Sequence, residues 1–502
     1  MIKTQLIMIL ISVLIIQIPD EVTLGVHNSS QNTIHIYDND NFKDQAAING
    51  WDLNQTRNGS LLKPYLIEGE TFKGITRYDA PPAIFISNTD VYFRIKDCQI
   101  SGGFSGISLI NVSNGKIEQS SVMGNGRYGI HVDSSDNITI HDNRIHPRDG
   151  ANPNEGFYGI HIMDSQNIVI TRNEIYNNEL FGFFMENSND IEMDGNTIYD
   201  SLQGIVVVNS YSFSITTNDV SGGEKGIELY RSNNSIVSSN VVYDANWGGI
   251  DIVEGKNSSI LNNTCYGNRD GILVESTGIC ANNSIFNNSV NGIQVHSDNV
   301  AIENNIISQN NGVGIKAVSG NGIRVSNNHV TQNQRGGIEF RSIIEGTIFN
   351  NSVINNGNEE KPLYPGDPKD GIFLYYSDYC VIRNNTISEN PDNGIHFYGS
   401  SRNLIVNNLI SYNHQHGISI TGPSQYNTIN HNKIIDNKGY GIFLGADNNT
   451  IYENEFSNNE MSIGYPETYP TRWSHLVFLF LALGIAFLKE VKGKRKKLNR
   501  LN

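Results

Sequence analysis

The chain has 502 residues, of which 38% are hydrophobic, and its formal net charge is −16. A chain of this length exceeds what one ordinary rounded core accommodates, so it must divide into domains or elongate. The negative charge argues against a nucleic-acid partner, because a protein that binds a phosphate backbone needs a basic face.

The N-terminus has the pattern of an export signal. Lys3 is followed by an apolar run from Leu6 to Ile16, which has the length of a signal-peptide core and is short for a membrane span. The sequence therefore predicts a signal peptide or signal anchor over residues 1–24. An N-terminal cap region is expected over residues 25–60.

A repeating unit occupies residues 61–464. It consists of Gly-Ile, alternating apolar and polar residues, a polar turn, an apolar-x-x-Asn-x-apolar segment and a second polar turn. A period of about 22–23 residues is typical of a stacked solenoid and differs from the periods of propeller blades and helical repeats. The glycines that begin the units are Gly106, Gly129, Gly159, Gly182, Gly204, Gly226, Gly249, Gly271, Gly292, Gly314, Gly337, Gly371, Gly394, Gly417 and Gly441.

Each unit is predicted to form short strands separated by polar turns. In the segment that begins at Gly226, the alternation directs Ile227 and Leu229 inward and turns Glu228 and Tyr230 toward solvent. An asparagine recurs at a fixed distance after most of the glycines, and its amide is expected to hydrogen-bond along the stack and satisfy backbone groups in the turns. This predicted ladder comprises Asn143, Asn173, Asn196, Asn218, Asn240, Asn263, Asn328, Asn351, Asn385 and Asn408.

The Gly-Ile and I-x-x-N-x-I coils resemble those of the NosD-type β-helix family, also described as the domain of carbohydrate-binding proteins and sugar hydrolases. The opening segments Asn58-Gly59-Ser60 and Pro64-Tyr65 are similar to the start of such surface proteins, and the resemblance covers residues 58–464. It implies an all-β fold, a right-handed single-stranded parallel β-helix of about 22–23 residues per coil. It leaves the activity open, because the family includes enzymes, binding proteins and proteins without known roles.

The first candidate site is a group of metal ligands on the outer face. His131 and His161 occupy equivalent positions on neighbouring coils, about 5 Å apart, and Met163 lies beside them. The NosD resemblance implies copper, for which histidine and methionine are suitable ligands. The alternative is that both histidines are ordinary exposed residues, since the sequence fixes no third ligand.

A second candidate site is acidic. Glu228, Asp251 and Glu275 occupy outward positions on three successive coils. Two carboxylates held a few ångströms apart could act as acid and base on a polysaccharide, with His161, Glu228 and Asp251 as catalytic candidates, or could bind Ca²⁺. Solvated surface acids are the simpler interpretation in a chain of this charge.

The third candidate site is aromatic. Phe373, Tyr375, His396 and Tyr398 are expected on the outer face of neighbouring coils, where flat rings can hold the pyranose rings of a sugar. The alternative is that these rings stack and stiffen the sheet. Two insertions, His146 to Glu155 and Asn358 to Pro368, precede Gly-Ile strands and either frame a groove about 40 Å long or are simple surface loops.

The C-terminus has the pattern of a membrane anchor. After a linker over residues 465–472, an apolar stretch predicts a transmembrane helix over residues 473–491, and a basic cytoplasmic tail follows over residues 492–502. An interfacial helix or a sorting tail that is removed are the alternatives.

These features predict a single-pass protein on the extracellular face of the cell membrane, with a cytoplasmic C-terminus, that binds an extracellular polysaccharide or glycan. Binding is preferred over catalysis. The alternatives are a polysaccharide lyase, hydrolase or epimerase, a structural spacer or adhesin, and a NosD-like copper-handling protein. Ca²⁺ and copper are the candidate cofactors.

Overall fold

The computed structural model describes residues 33–75, 80–147, 157–357 and 369–466. The predicted signal segment, C-terminal helix and basic tail lie outside these ranges, as do residues 148–155 and 358–368 of the two insertions. The described ranges contain no helix that is long and apolar enough to cross a membrane. The chain divides into two compact units, the first up to Leu202 and the second from Gln203.

Both units are all-β parallel solenoids, so this part of the predicted fold class is confirmed. Each full coil contributes one strand to each of three parallel sheets, and each strand pairs with the equivalent strand one coil away. In the first unit, for example, Ile130 pairs with Ile160; in the second, Ile315 pairs with Ile338. Parallel strands need a long crossover connection, and the other two sides of the coil supply it.

The first unit has six strands in each sheet. Those of its first sheet are Ile34–Ile36, Ile84–Thr89, Ser105–Val112, Tyr128–Asp133, Tyr158–Met163 and Phe181–Glu186. Those of its second sheet are Tyr65–Glu68, Phe93–Lys96, Gly115–Glu118, Asp136–His141, Gln166–Thr171 and Asn189–Asp194. Those of its third sheet are Thr71–Lys73, Gln99–Ser101, Ser121–Met123, Arg144–His146, Glu174–Tyr176 and Thr197–Tyr199.

The second unit also has three strands per coil, one in each sheet. The strands of its first sheet are Gln203–Val208, Lys225–Tyr230, Gly248–Val253, Asp270–Glu275, Ile293–Val295, Val313–Asn321, Gly336–Ile344, Ile372–Tyr375, Ile395–Tyr398, Ile418–Thr421, Ile442–Leu444 and Ile463–Gly464. Those of its second sheet are Tyr211–Thr216, Ile236–Ser238, Ser258–Leu261, Gly278–Ala281, Val300–Glu303, Arg324–Ser326, Thr347–Phe349, Val381–Arg383, Leu404–Val406, Thr428–Asn430 and Thr450–Tyr452. Those of its third sheet are Asp219–Ser221, Val241–Tyr243, Thr264–Tyr266, Ser284–Phe286, Ile306–Ser308, His329–Thr331, Ser352–Ile354, Thr386–Ser388, Leu409–Ser411, Lys433–Ile435 and Glu455–Ser457.

Inward side chains form columns through the interior of each unit. Ile130, Ile160 and Phe183 form one such column, and none of them has exposed surface. Full burial of one such side chain contributes about 1.5–3 kcal/mol. All four cysteines are buried free thiols: Cys98, Cys265, Cys280 and Cys380.

The Gly-Ile pair marks the corner where the chain enters the first sheet. A Cβ atom added at Gly271 would lie 2.7 Å from the carbonyl oxygen of Gly292 and would overlap the side chain of Ile285. The equivalent positions Gly314 and Gly417 are equally crowded. Glycine recurs there because neighbouring backbone and core side chains approach its Cα atom closely.

Ladders of asparagines, most of them buried, run along the turns. The Asn143 amide donates to Asn173 Oδ1 at 3.0 Å and to the carbonyl of Ile117, on the preceding coil, at 2.9 Å. The ladder that contains the predicted positions runs through Asn143, Asn173 and Asn196 in the first unit, and through Asn218, Asn240, Asn263, Asn283, Asn305, Asn328, Asn351, Asn385, Asn408, Asn432 and Asn454 in the second. Sequence reasoning missed a ladder at another corner, formed by Asn268, Asn288, Asn310, Asn333, Asn356, Asn390, Asn413, Asn437 and Asn459.

An α-helix, Asn39–Asn49, lies in the predicted cap region, and the side chain of Asp38 caps its N-terminus. Phe42 on this helix packs against Tyr65 and Phe93, with ring centroids 5.2 and 5.3 Å apart. The helix therefore covers apolar side chains of the first coils, as terminal elements of solenoids generally do.

Candidate functional site

The outer face of the first sheet carries the candidate side chains. In strand Tyr128–Asp133, Ile130 and Val132 face the core. The bend at the Gly-Ile pair turns Tyr128 outward, so its ring stacks on His131 with centroids 4.7 Å apart. Each strand thus offers three outward positions: the residue before the glycine, and the second and fourth residues after it.

The predicted metal candidates lie together in the first unit. His131 pairs with His161 and Asp133 with Met163 in the strand register. The two imidazole rings stack with centroids 5.1 Å apart and planes 6° apart. His161 is buried because neighbouring aromatic rings cover it. The alternative that both histidines are ordinary exposed residues is therefore wrong.

Burial sets the charge states of His131 and its neighbours on this face. Burial, reinforced by His161 and Arg127, lowers the pKa of His131 to about 3. Burial also raises the pKa of the Asp133 carboxyl. His161 Nε2 lies 3.5 Å from Glu186 Oε1, while its Nδ1 atom is buried without a hydrogen-bond partner. His131 is therefore neutral at ordinary pH.

This arrangement does not fit a copper ion. The nitrogen lone pairs of an imidazole lie in the plane of its ring, so two parallel stacked rings cannot direct them at one ion. Among the described residues, no group of three or more His, Cys, Asp or Glu side chains could hold a metal ion. The geometry therefore does not support the copper interpretation of His131, His161 and Met163.

Glu228 and Asp251 lie on neighbouring coils of the second unit, with Lys225 between their carboxylates. They are partners in the strand register. Lys225 forms an ion pair with Glu228, and its Nζ atom lies 3.3 Å from Asp251 Oδ2. Both acids are 4% exposed, so the prediction of solvated surface acids is wrong for them. Each occupies the middle outward position, which the flanking side chains cover.

Asp251 is tightly surrounded by its neighbours. Its Oδ1 atom is buried without a hydrogen-bond partner and lies where a Cβ atom of Gly248 would be. Burial raises the pKa of Asp251 to about 6. Burial opposes the charge of Lys225, but Asp251 and Glu228 outweigh it and raise the pKa of Lys225. A Ca²⁺ ion here would have to displace an ammonium group that is already paired with both acids.

Asp370, His396 and Thr421 form a hydrogen-bonded chain across three successive coils of the second unit. Asp370 Oδ2 lies 3.0 Å from His396 Nδ1, and His396 Nε2 lies 3.0 Å from Thr421 Oγ1. The other Asp370 oxygen accepts hydrogen bonds from the main-chain and side-chain nitrogens of Asn393, at 3.0 and 2.8 Å. The buried Asp370 carboxylate therefore fixes the orientation of the imidazole.

Two groups at this site, His396 and the nearby Asp392, have raised pKa values. Burial opposes protonation of His396, but Asp370 and Asp392 outweigh it and raise the pKa of His396. Burial and the nearby Asp370 raise the pKa of Asp392 to about 6. A carboxyl group with a pKa of about 6 can give and accept protons near neutral pH.

Three tyrosines, Tyr375, Tyr376 and Tyr398, form what we call the tyrosine surface. The rings of Tyr375 and Tyr398 stack with centroids 5.6 Å and planes 13° apart. Tyr376 meets both rings edge-on. The guanidinium of Arg341 lies 5.3 Å from the Tyr375 ring centroid. Tyr376 and Tyr398 are 49% and 39% exposed, so the surface is open to solvent.

The four predicted sugar-binding residues are neighbours in the structure. Phe373 is the register partner of His396, and Tyr375 is the partner of Tyr398. Phe373 is 8% exposed, and its ring lies 5.0 Å from that of His396. Phe373 therefore supports the imidazole, while Tyr375 is half-buried and Tyr398 is exposed.

Sequence reasoning missed Asp370, Thr421 and Tyr376. Alternation that starts at the glycine omits the outward residue before it, which is where Asp370 and Lys225 lie. Tyr376 has a φ of 48° and lies in the turn that ends its strand, beyond the reach of a strand pattern. A repeated Asp-Gly-Ile signal was present, at Asp270 and again at Asp370.

The earlier copy of that signal shows which contacts are architectural. Asp270 Oδ1 accepts hydrogen bonds from the main-chain and side-chain nitrogens of Asn291, at 3.1 and 3.0 Å. By register, Gln294 stands at the place of His396, and Val318 stands at the place of Thr421. The hydrogen bonds between aspartate and asparagine are thus part of the coil architecture. The histidine and the threonine are specific to the later copy.

Two protein families match the chain. Residues 24–152 and 153–281 match the family described as right handed beta helix region. Residues 245–362 and 366–477 match the family described as periplasmic copper-binding protein (NosD).

Several solved structures are similar to the chain. The A-module of the Azotobacter vinelandii mannuronan C-5 epimerase AlgE6 is 14% identical, with 84% of this chain and 99% of that chain covered and a TM-score of 0.33. DFA-IIIase from Arthrobacter chlorophenolicus A6 is 10% identical, with 75% and 94% covered and a TM-score of 0.37. Tailspike protein 2 of the Escherichia coli O157:H7 bacteriophage CAB120 is 13% identical, with 52% of this chain covered and a TM-score of 0.34, and the chain spans 38% of the tailspike. At such identities neither substrate nor mechanism carries over.

Proposed function

Because this chain belongs to the right-handed β-helix family, with a NosD-like second half, we propose that it is a polysaccharide-binding protein that holds a glycan on its tyrosine surface. The observation that carries the proposal is the solvent exposure of Tyr376 and Tyr398 in the tyrosine surface, next to the polar groups of His396 and Arg341. Sugar rings bind to flat aromatic faces, while their hydroxyl groups need hydrogen-bond partners at the edge.

Stacking that only stiffens the sheet has its own example in this chain. Tyr243 and Tyr266, on the third sheet of the second unit, stack with centroids 5.1 Å and planes 1° apart, and Phe286 continues the column. The tyrosine surface differs because Tyr376 meets the stacked rings of Tyr375 and Tyr398 edge-on, and the imidazole of His396 lies beside them on the same sheet. Its composition is that of a binding surface with an apolar floor and a polar margin.

The test is retention of the full chain on immobilised neutral and uronate polysaccharides, with and without Ca²⁺. We expect the double variant Tyr375→Ala/Tyr398→Ala to reduce retention at least about tenfold, because each lost ring removes a stacking contact of about 1 kcal/mol. The matched control is Tyr243→Ala/Tyr266→Ala, which removes an equivalent stack and should leave retention unchanged. Equal retention by native protein and the first variant would contradict the proposal, as would failure of the native chain to bind any glycan.

We also propose that the protein is exported and held at the extracellular face of the membrane by its C-terminal segment. The support is the order of an apolar stretch and a basic tail in the sequence. Protease added to intact cells should remove the solenoid and leave a short membrane-bound C-terminal fragment. Full protection of the solenoid would contradict this orientation.

A further inference from the structure

We propose that Asp370, His396 and Thr421 form an acyl-transfer site, in which the Thr421 hydroxyl is the nucleophile that removes ester-linked acyl groups from a glycan on the tyrosine surface. The chemistry rests on these three side chains. The choice of a glycan ester as substrate rests on the proposed function.

The three side chains have the order that activates a hydroxyl nucleophile. The carboxylate lies 3.0 Å from the Nδ1 atom of the imidazole, and the Nε2 atom lies 3.0 Å from the threonine oxygen. A nucleophile, a base and a group that orients the base, each within hydrogen-bond reach of the next, define such a site on any fold.

Asp370 selects the tautomer that this role requires. One of its oxygens is taken up by the two nitrogens of Asn393, which leaves Oδ2 for the imidazole. A buried carboxylate at Nδ1 favours the proton on that nitrogen, so Nε2 presents its lone pair to Thr421. Asp370 is thus a positioning residue, and His396 is the base.

Thr421 stands where a substrate can reach it. It is the last residue of strand Ile418–Thr421, and Gly422 follows with a φ of 62° as the chain turns away. Thr421 is the register partner of Tyr398 and is half-buried. Its hydroxyl can donate either to His396 or to the carbonyl of Phe397, at 3.2 Å. An ester on a sugar that stacks on Tyr398 would therefore lie next to this hydroxyl.

The reaction needs no cofactor. His396 Nε2 takes the Thr421 proton as Oγ1 forms a bond to the ester carbonyl carbon. The bond from that carbon to the sugar oxygen breaks, and the sugar oxygen takes the proton from His396. Water then attacks the acyl-threonine, gives one proton through His396 to Oγ1, and releases the carboxylic acid. The balance is one ester and one water for one sugar hydroxyl and one acid.

The charged groups around His396 set the pH dependence. Asp370 on the preceding coil and Asp392 on its own coil raise the pKa of His396, and His416 on the following coil is a further titratable neighbour. A base must be neutral to accept a proton. Turnover should therefore rise with pH as His396 loses its proton, with a midpoint above the ordinary value of about 6.5.

The experiment measures hydrolysis of p-nitrophenyl acetate by the full chain, with acid quenching and mass analysis of the peptide that carries Thr421. We expect an acetylated Thr421 peptide, and a loss of at least about 100-fold in turnover for His396→Gln and Thr421→Val. These substitutions reproduce the residues of the earlier copy, Gln294 and Val318, so the coil already tolerates them. Thr421→Ser should retain turnover, and His431→Gln is the control, because His431 is an exposed histidine that pairs with Glu453.

Two results would overturn the proposal: turnover that persists in both His396→Gln and Thr421→Val, and a native chain without turnover. Release of acetate from an O-acetylated polysaccharide separates this proposal from the proposed function. If the native chain releases acetate from the polysaccharide and Thr421→Val does not, while both retain the glycan, both are supported. If ester turnover depends on Thr421 while glycan retention is absent, the acyl-transfer site stands and the glycan substrate is rejected.

Discussion

At the scale of the residue, the backbone explains the abundance of asparagine. The residue before each ladder asparagine often has a positive φ, as at Asn262, Asn304 and Asn350, with values of 56°, 56° and 55°. Asparagine tolerates this left-handed conformation better than other side chains because its amide bonds locally. The Asn-Asn pairs of the sequence thus combine a turn residue with a ladder residue.

The ladder predicts a large cost for removing one rung. Asn305 Oδ1 accepts hydrogen bonds from the main-chain and side-chain nitrogens of Asn283, at 2.8 and 2.9 Å, and its own amide donates to Asn328. Asn305→Ala would leave these buried groups unpaired, so we expect the free energy of unfolding to fall by about 2–4 kcal/mol in denaturant titrations. Asn311→Ala, at an exposed position, should change it by less than about 0.5 kcal/mol. Similar losses in the two variants would refute the structural role of the ladder.

Sequence reasoning succeeded and failed at single positions for identifiable reasons. Asparagines of the first ladder recur at a fixed distance from the glycine, so the repeat reveals them. The burial of Glu228 and Asp251 was not predictable, because it depends on Lys225 and on coverage by neighbouring coils. In the sequence Asp370 looks like a turn residue. Only the folding of the chain into stacked coils brings it close to His396.

At the scale of the element, the coil is defined by the corner at Gly-Ile. Alternation correctly predicted the inward side chains, since those positions are apolar in every coil. It did not predict the bend, which adds an outward position before each glycine. This bend places Lys225 beside Glu228 and Asp370 beside His396, so it helps to create the two polar clusters described above.

The corner predicts that an added methyl group is costly. Gly271→Ala would push against the backbone of Gly292 and the side chain of Ile285, and we expect the free energy of unfolding to fall by about 3 kcal/mol. Gly69 has a φ of 71° but no atom within 4 Å of an added Cβ. Gly69→Ala should therefore cost only about 1 kcal/mol, from backbone strain. Denaturant unfolding of both variants is the measurement, and equal costs would show that crowding is not the reason for the glycine.

At the scale of the whole molecule, the net charge and the buried carboxyl groups both make the folded state less stable as pH rises. The formal charge of −16 repels itself at neutral pH. Asp251 and Asp392 have pKa values of about 6, above the ordinary value for a carboxyl group. Between the ordinary pKa of a carboxyl group and about 6, the folded state binds more protons than the unfolded state. Stability is therefore gained as pH falls below about 6 and is lost as pH rises toward this value.

We therefore expect a higher Tm at about pH 6 than at about pH 8, measured by thermal unfolding at constant ionic strength. His396 contributes in the same direction, because its raised pKa means that its proton is lost from the folded state as pH rises. His131 opposes this trend below about pH 6.5, where its depressed pKa costs stability, so the two pH values are compared in chains that carry His131→Gln. The double variant Asp251→Asn/Asp392→Asn should show a smaller difference in Tm between the two pH values. A Tm that falls from pH 8 to pH 6 would contradict this assignment.

The asparagine ladders also have a direction. In each rung between Asn143 and Asn173, or between Asn310 and Asn333, the amide nitrogen of the earlier coil donates to the oxygen of the later one. Parallel strands contribute only small net dipoles, but these amide dipoles all point the same way. Each ladder is therefore a row of aligned dipoles, with its positive end at the later coils. Each solenoid unit is thus electrically polar along its stack, as an α-helix is along its axis, and its two ends should differ in their attraction for anions.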